Sequence, residues 1–508
     1  MKKISSFLTL ILALSSLVLC SCSDDDNPNP LAESNGVLDV SPAELSFGVD
    51  GGTASFTVNG GTAFVRSEAD WLTVVRVSGN SKSSVFNVTC AENKAGEERI
   101  GTVLANLNGA FERITVTQAG KVTPPDVEHN FRQASAIAKD MYPGWNLGNT
   151  MEGNINGENF TNNVGLGGET AWQSTKTTQA VIDFVKAQGF KSVRIPCSWV
   201  CGHITNANTN TIDPEWMARV REIVDYCINA GLYVVLNDHY DGGWIEKSFA
   251  DVSDANIQKN SQIMKDIWTQ IANEFKNYDE HLLFAGLNEP DATNQAQTDA
   301  LIKYEQAFID AVRATGSNNE KRILIVQGPG TDIDRTTQYY KTMPTDIAEG
   351  RLMMEVHYYT PPQFTGVWEN GNPFYFWGSD NQATDDTYKK FNSTSGENAM
   401  LKLFQKMKTN FADKGIPVIL GEYGANWRNL GNEDAQKKHD ASIKLFNKCT
   451  VQYAIECGIV PFVWDINVAN QNGTDGIMTV INRSNLSIFC TPAMEGIKEG
   501  VAAGKWPN

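Results

Sequence analysis

The sequence predicts an α/β architecture, a (β/α)8 TIM barrel over residues 130–508 preceded by a small all-β, immunoglobulin-like sandwich over 37–120. Three observations predict it. Short alternating segments separated by glycine turns fill 37–120. Eight strand-like apolar runs then alternate with amphipathic stretches long enough for crossover helices. At the C-terminal end of run after run stands a polar residue, and that is where such a barrel builds its site.

The chain opens with Lys2-Lys3 and an apolar run from Phe7 to Leu19, too short to span a bilayer and of the form of a secretory signal over 1–21. Export is expected. Leu19-Cys20-Ser21-Cys22 resembles a bacterial lipobox, which implies lipidation at Cys22 and an acidic tether over 22–36. Ser23-Asp24-Asp25-Asp26 resembles the surface-export tag of Bacteroides-group lipoproteins, so the expected location is the outer membrane, facing out and held only by the lipid anchor.

With 508 residues, 41% hydrophobic and 10% aromatic, the chain has room for two or more domains with real cores. Its formal charge is -17, more negative still without Lys2 and Lys3, which argues against nucleic acid or anionic lipid as a partner. Beyond Cys20 and Cys22, seven scattered cysteines remain: Cys90, Cys197, Cys201, Cys227, Cys449, Cys457 and Cys490. They show no Cys-x-x-Cys or His-Cys spacing, so buried core thiols are expected, with neither a disulfide framework nor a zinc site.

The all-β segment alternates through 54–58, 85–89 and 113–117, with turns at Gly51-Gly52, Gly60-Gly61 and Gly79-Asn80. Val40-Ser41-Pro42, Ala69-Asp70-Trp71-Leu72 and Thr117-Gln118-Ala119-Gly120 look like the BACON domain of Bacteroides carbohydrate enzymes, which implies a weak glycan binder or a spacer. Trp71 is the segment's only tryptophan. A core position and a spacer role are expected, because a sugar platform usually offers several exposed aromatics. The Pro124-Pro125 pair then marks a stiff linker over 121–129.

In the second domain the strand candidates are 144–147, 192–196, 232–237, 282–287, 323–327, 352–356, 417–421 and 459–464. The intervening stretches include 178–188, 214–230, 260–277, 298–315 and 435–457. A doubly wound open sheet is weakened because no Gly-rich phosphate loop follows the first strand.

The polar strand ends are Arg194, Asn237 with His239, Asn288 with Glu289, His357 with Tyr359, Glu422 and Trp464. Pro290 cannot donate to a sheet ladder, which stops the fourth strand at Glu289. Glu422 closes the seventh in Gly421-Glu422-Tyr423-Gly424. Two carboxylates facing one cleft are what retaining glycoside hydrolysis needs, one attacking the anomeric carbon and the other moving the proton. For that, Glu289 has to be protonated and Glu422 ionised, so their environments should push the two pKa values apart.

Across nearly all of the second domain the chain resembles glycoside hydrolase family 5, in particular the endoglucanase subgroup that also contains xyloglucanases. The motifs are Gly144-Trp145-Asn146-Leu147-Gly148-Asn149-Thr150, Glu169-Thr170-Ala171-Trp172, Val193-Arg194-Ile195-Pro196, Asn288-Glu289-Pro290, His357-Tyr358-Tyr359 and Gly421-Glu422-Tyr423-Gly424. The resemblance implies Glu289 as acid/base, Glu422 as nucleophile and Asn288 on the 2-hydroxyl of the attacked sugar. Arg194 and Tyr359 would hold Glu422, while His239 and His357 would line the cleaved bond. Substrate contacts are also expected at Asn149, Trp172, His203 and Trp464. His129, His281 and His439 are expected to be structural.

Two departures from the pattern, His239-Tyr240 for His-His and Asp465-Ile466-Asn467 for Asp-Asn-Gly, are expected to touch substrate contacts. Stacking platforms are sought among Trp172, Trp199, Trp244, Trp368, Trp377, Trp427 and Trp464, with about half packed inside. The run 366–380 is expected to wall one end of an open groove. The expected partner is therefore a plant cell-wall β-glucan or xyloglucan, cut internally by a monomer without cofactor or metal. A β-mannanase, or an idle glycan-binding lipoprotein, is the alternative.

Overall fold

The computed structural model describes residues 37–49, 51–93, 98–119, 129–154, 164–366, 372–469 and 477–507. Cys22, the signal and tether, Trp368 and most of the linker lie outside them. The chain divides into two compact units, one up to Pro124 and the other from Pro125.

The first unit is a pair of four-stranded sheets. One is ordered Asp39–Ser41, Gly52–Asn59, Ser83–Cys90, Leu72–Gly79, and the other Glu44–Phe47, Ala110–Gln118, Arg99–Leu107, Phe64–Ser67. Alternation sends Phe56, Val58, Phe86 and Val88 of one sheet and Val103, Ala105, Ile114 and Val116 of the other into a shared core. Trp71 is only partly buried against that core, and the Arg99 guanidinium lies 4.3 Å from its ring centroid. The cation therefore occupies a face that a sugar would need.

The second unit is a closed barrel of eight parallel strands: Gly144–Asn146, Ser192–Ile195, Tyr233–Asn237, Leu282–Ala285, Leu324–Gln327, Leu352–Tyr358, Val418–Tyr423 and Ile459–Val463. Each coincides with an apolar run of the sequence. Buried on both faces, such strands read as continuous apolar stretches. Val235, Leu283, Ile325, Ile419 and Phe462 fill the interior with Ile137 and Met141, while Val234, Leu236 and Phe284 pack against the surrounding helices.

Those helices start where the sequence supplies caps. Asp213 caps Pro214–Asn229, Ser253 caps Asp254–Glu274, Asn294 caps Gln295–Ala314 and Asn432 caps Glu433–Glu456. Each cap side chain accepts a backbone N–H that would otherwise be orphaned. All seven cysteines beyond residue 36 are free and buried.

Candidate active site

The site is built around Arg194, wholly buried at the end of the second barrel strand. Its Nη1 donates to Glu422 Oε1 at 3.0 Å and to Asn146 Oδ1 at 3.1 Å, and its Nη2 to Asn288 Oδ1 at 2.7 Å. On the other side Nε lies 2.9 Å from Glu355 Oε1, an ion pair whose approach is too oblique for a hydrogen bond. A charge this deep persists only when paired, and here two carboxylates pair it. The fork consequently fixes strands one, four, six and seven in one geometry.

Glu422 also accepts from the Tyr359 hydroxyl, 3.0 Å from Oε2. The sheet register shifts at Val356/His357 on one side of the seventh strand and at Leu420/Tyr423 on the other, irregularities that re-aim a side chain at the barrel rim. Glu289 stands across from it with 47% of its side chain exposed to the cleft, and His357 Nδ1 lies 2.7 Å from Oε1. Atoms of Glu289, His357 and Glu422 all lie within 4.8 Å of one another. That spacing could hold a cation, but Glu289 Oε1 and both oxygens of Glu422 are already engaged by His357, Arg194 and Tyr359. The set is therefore arranged to handle a proton.

Burial pushes both glutamates up, and the neighbours decide the outcome. For Glu289, the hydrogen bond and charge of His357, with Arg194 behind it, outweigh burial and hold the carboxyl below its usual range. For Glu422, burial prevails over His357 and Arg194, and the nearby Glu289 adds to it. This order is the reverse of the sequence expectation. The reason is His357, whose own pKa is pushed up to about 9 because Glu422, Glu289 and Glu355 surround it and overcome its burial. The proton shared at this contact therefore belongs to the His357–Glu289 pair.

A cleft of about 730 Å³ opens in front of these groups, lined by Asn288, Glu289 and His239 and by Trp172 and Tyr240. Trp172 and Tyr240 are 47% and 48% exposed, which suits them to sugar stacking. Trp464 is half-buried and stacks on His239 with centroids 5.6 Å apart. Gly148 leaves room for it, since a Cβ there would stand 3.0 Å from the indole. Asn149 turns the chain at φ +56, its backbone N–H donating to Glu152, and this backbone role is what the structure gives it.

His203 is a correction. Its ring is wholly buried and stacked on Trp216 at 3.8 Å, with neither nitrogen hydrogen-bonded among the described residues and burial pushing its pKa down to about 3. The chain after the second strand turns inward because Asp241 accepts the backbone N–H groups of Trp199, Val200 and Cys201. Trp199, Trp244 and Trp377 are likewise interior. The described part of 366–380 packs Tyr375 against Phe391 and buries Phe376, so its aromatics turn away from a groove.

Asn467 is also corrected. It sits at φ +54, where Asn and Gly are favoured, and its side chain is taken up by bonds to Gln173 and the Arg483 backbone. His439 is buried between the Tyr375 carbonyl and the Arg428 N–H, and His281 is bonded to Asp279.

Sequence reasoning passed over Asn146, Gln327 and Glu355. Gln327 Nε2 donates to Glu355 Oε2 at 2.7 Å, and Asn146 accepts from Arg194. The signal was a polar residue inside an otherwise apolar barrel strand, since buried Glu and Gln are rare without partners.

Residues 154–470 match the family described as cellulase, glycosyl hydrolase family 5, and residues 37–121 match the family described as viral BACON domain. The chain is 30% identical over 476 residues to a xyloglucan-specific endo-β-1,4-glucanase of Bacteroides ovatus, covering 90% of each chain. It is 33% identical over 383 residues to endoglucanase A of Paenibacillus barcinonensis, covering 72% of this chain and 90% of that one. Among solved structures, a xyloglucan-specific β-1,4-glucanase from a ruminal metagenomic library superposes with a TM-score of 0.68 at 50% identity, over 74% of this chain and 98% of that one. The fold, the strand-end carboxylates and these matches agree, and the chain belongs to glycosyl hydrolase family 5 as a glycoside hydrolase.

Proposed function

We propose that the enzyme is a retaining endo-β-1,4-glucanase acting on xyloglucan or related cell-wall β-glucans, with Glu422 as nucleophile and Glu289 as acid/base. The observation that carries the mechanism is the close approach of the two carboxylates, with Arg194 and Tyr359 both donating to Glu422. Retention requires such a short separation, whereas inversion needs room for a water between the groups. Glu422 attacks the anomeric carbon while Glu289 protonates the departing oxygen; Glu289 then takes a proton from the water that releases the sugar. Support for the substrate comes from relatives named for xyloglucan.

Product analysis on xyloglucan, mixed-linkage glucan, cellulose, mannan and xylan tests the substrate. Oligosaccharides from xyloglucan or β-glucan are expected, and release from mannan alone would transfer the reading to a β-mannanase. Proton NMR of the first product tests retention: the β-anomer is expected, and initial α-anomer refutes it.

The enzyme is further proposed to be a monomer acylated at Cys22 and carried on the outer membrane facing out, on the strength of Leu19-Cys20-Ser21-Cys22 and the acidic residues after it. Fatty-acid labelling should be lost in Cys22→Ala, and equal labelling sinks the anchor. External protease on intact cells tests the facing, and sedimentation of the soluble part tests the monomer.

A further inference from the structure

We infer that Glu355, a residue without contact to the reacting atoms, is the positioning residue that keeps the acid's proton on the Glu289–His357 pair and fixes the imidazole tautomer that delivers it. The inference rests on the role proposed for Glu289 and deepens it.

Glu355 lies in the middle of the sixth barrel strand and is wholly buried. Nothing there obliges a carboxylate, since its neighbours Met353, Met354 and Val356 are apolar core residues. The fold nevertheless makes space for it. A Cβ on Gly421 would stand 1.8 Å from Glu355 Oε1, so the residue before the nucleophile is one without a side chain. The carboxylate is then anchored from two sides, by Gln327 Nε2 at 2.7 Å and by Arg194 Nε at 2.9 Å.

Its remaining neighbour is His357 Nε2, 3.4 Å from Oε1. The imidazole thus faces a carboxyl at each ring nitrogen, Glu355 at Nε2 and Glu289 at Nδ1. An anion at Nε2 requires that nitrogen to carry a proton, so the mobile proton is confined to the Nδ1 side, between His357 and Glu289. Whichever of the two holds it, the pair as a whole is one proton richer than a neutral imidazole beside a bare carboxylate.

The proton balance follows. Nδ1 gives its proton to Glu289, and Glu289 gives one to the glycosidic oxygen as that oxygen takes the electron pair of the breaking C–O bond. In the second step the attacking water loses a proton to Glu289, which restores Nδ1. Activity therefore falls when rising pH strips the pair of its mobile proton. The charges that set this pKa are Glu289, Glu355 and Glu422 on the raising side, with Glu422 Oε2 3.7 Å from Nδ1. Burial opposes them. His239 faces the pair as a neutral imidazole, its own pKa held well down by burial and by the charges of Arg194 and His357, and Tyr359 adds a hydroxyl beside Glu422. Glu355 is the one carboxylate of the three that takes no part in the chemistry.

The test is the pH profile of kcat/KM on a soluble β-glucan for the wild type, Glu355→Gln and Glu355→Asp. Removing the charge should move the alkaline limb of Glu355→Gln down by about one pH unit or more, a tenfold loss per unit on that side. Glu355→Asp, which keeps the charge, should stay near the wild type. A residue that merely held the strand together would lower activity and melting temperature without moving the limb. An unmoved limb in folded Glu355→Gln overturns the inference.

Nitrogen-15 NMR of the wild type's six histidines covers the case in which the variants fail to fold. His357 should titrate above an ordinary imidazole with Nε2 protonated throughout, and an ordinary titration or the other tautomer also overturns the inference. A wild type inactive on β-glucans but with this His357 behaviour would refute the proposed substrate and leave the role of Glu355 standing.

Discussion

Two sets of carboxyl groups stand toward the same end of the barrel, and their neighbours make them opposites. Glu289 and Glu422 at the ends of strands four and seven, with Glu355 in the middle of strand six, share the cations Arg194 and His357. Just beyond strand three, Asp238 and Asp241 lie side by side, with burial and each other's carboxyl and no cation among the main influences on them in the described residues. Burial raises Asp238 far above its usual range and Asp241 above its own, and the adjacent Asp241 carboxyl pushes Asp238 up further. Their bonds go to structure: Asp241 holds the backbone of Trp199, Val200 and Cys201, and Asp238 accepts from Trp244 Nε1 at 3.1 Å. Burial alone therefore makes a carboxyl a neutral clamp; a guanidinium or imidazolium beside it makes a reagent.

The sharpest way to break the first set is to remove its reagents singly. Glu422→Ala and Glu289→Ala should each lower kcat on polysaccharide by on the order of 10⁵-fold, and they should fail differently. On an activated aryl β-cellobioside, Glu289→Ala should still form glycosyl-enzyme, and azide should release a β-glycosyl azide. Glu422→Ala has no nucleophile, so azide should give the α product. NMR of the two azides reads the roles directly, and the reverse pairing would exchange them.

Next in size is the cation. Arg194→Met leaves Glu355 and Glu422 buried without their partner, and breaking a buried pair on one side costs about 3–5 kcal/mol. Thermal and urea unfolding should show that loss together with near-complete loss of turnover. If the variant were as stable as the wild type, Arg194 would be dispensable to the charge balance and the contrast with the aspartates would fail.

The barrel and the two reacting glutamates were legible before the structure, whereas the aspartate pair was not, and the unread part has a physical cause. The eight strands were readable because a strand buried on both faces is apolar throughout. Glu289 and Glu422 were readable because Pro290 and the glycines around Glu422 mark strand ends. Glu355 was not, because it sits in mid-strand, where an acid reads as noise until Arg194 and Gln327 converge on it from the second and fifth strands, beside His357 two residues along its own strand. His203 misled because sequence tells which end of a strand a loop leaves from and not which way it then turns. The order of the two glutamate pKa values depends on His357, whose approach to Glu289 no spacing along the chain reveals.

The smallest expected effect tests the neutral set. In Asp238→Asn the amide can still accept from Trp244 and donate to Asp241, so the variant mimics the protonated acid with a proton it cannot lose. The sign of its effect follows from linkage. A carboxyl whose folded pKa is raised binds its proton more tightly in the folded chain, so it costs stability as pH rises above the unfolded value near 3.9, until the folded form also ionises. Wild type and Asp238→Asn should therefore melt alike near pH 4, and the variant should hold its melting temperature better as pH rises toward neutrality. Hydrolysis should change by no more than about twofold, because Asp238 is bonded to a tryptophan and an aspartate and not to the reacting groups. A variant that instead loses stability with rising pH, relative to the wild type, would mean that Asp238 is ionised in the fold. The two carboxyl sets would then differ in position only, and burial would no longer account for which of them does chemistry.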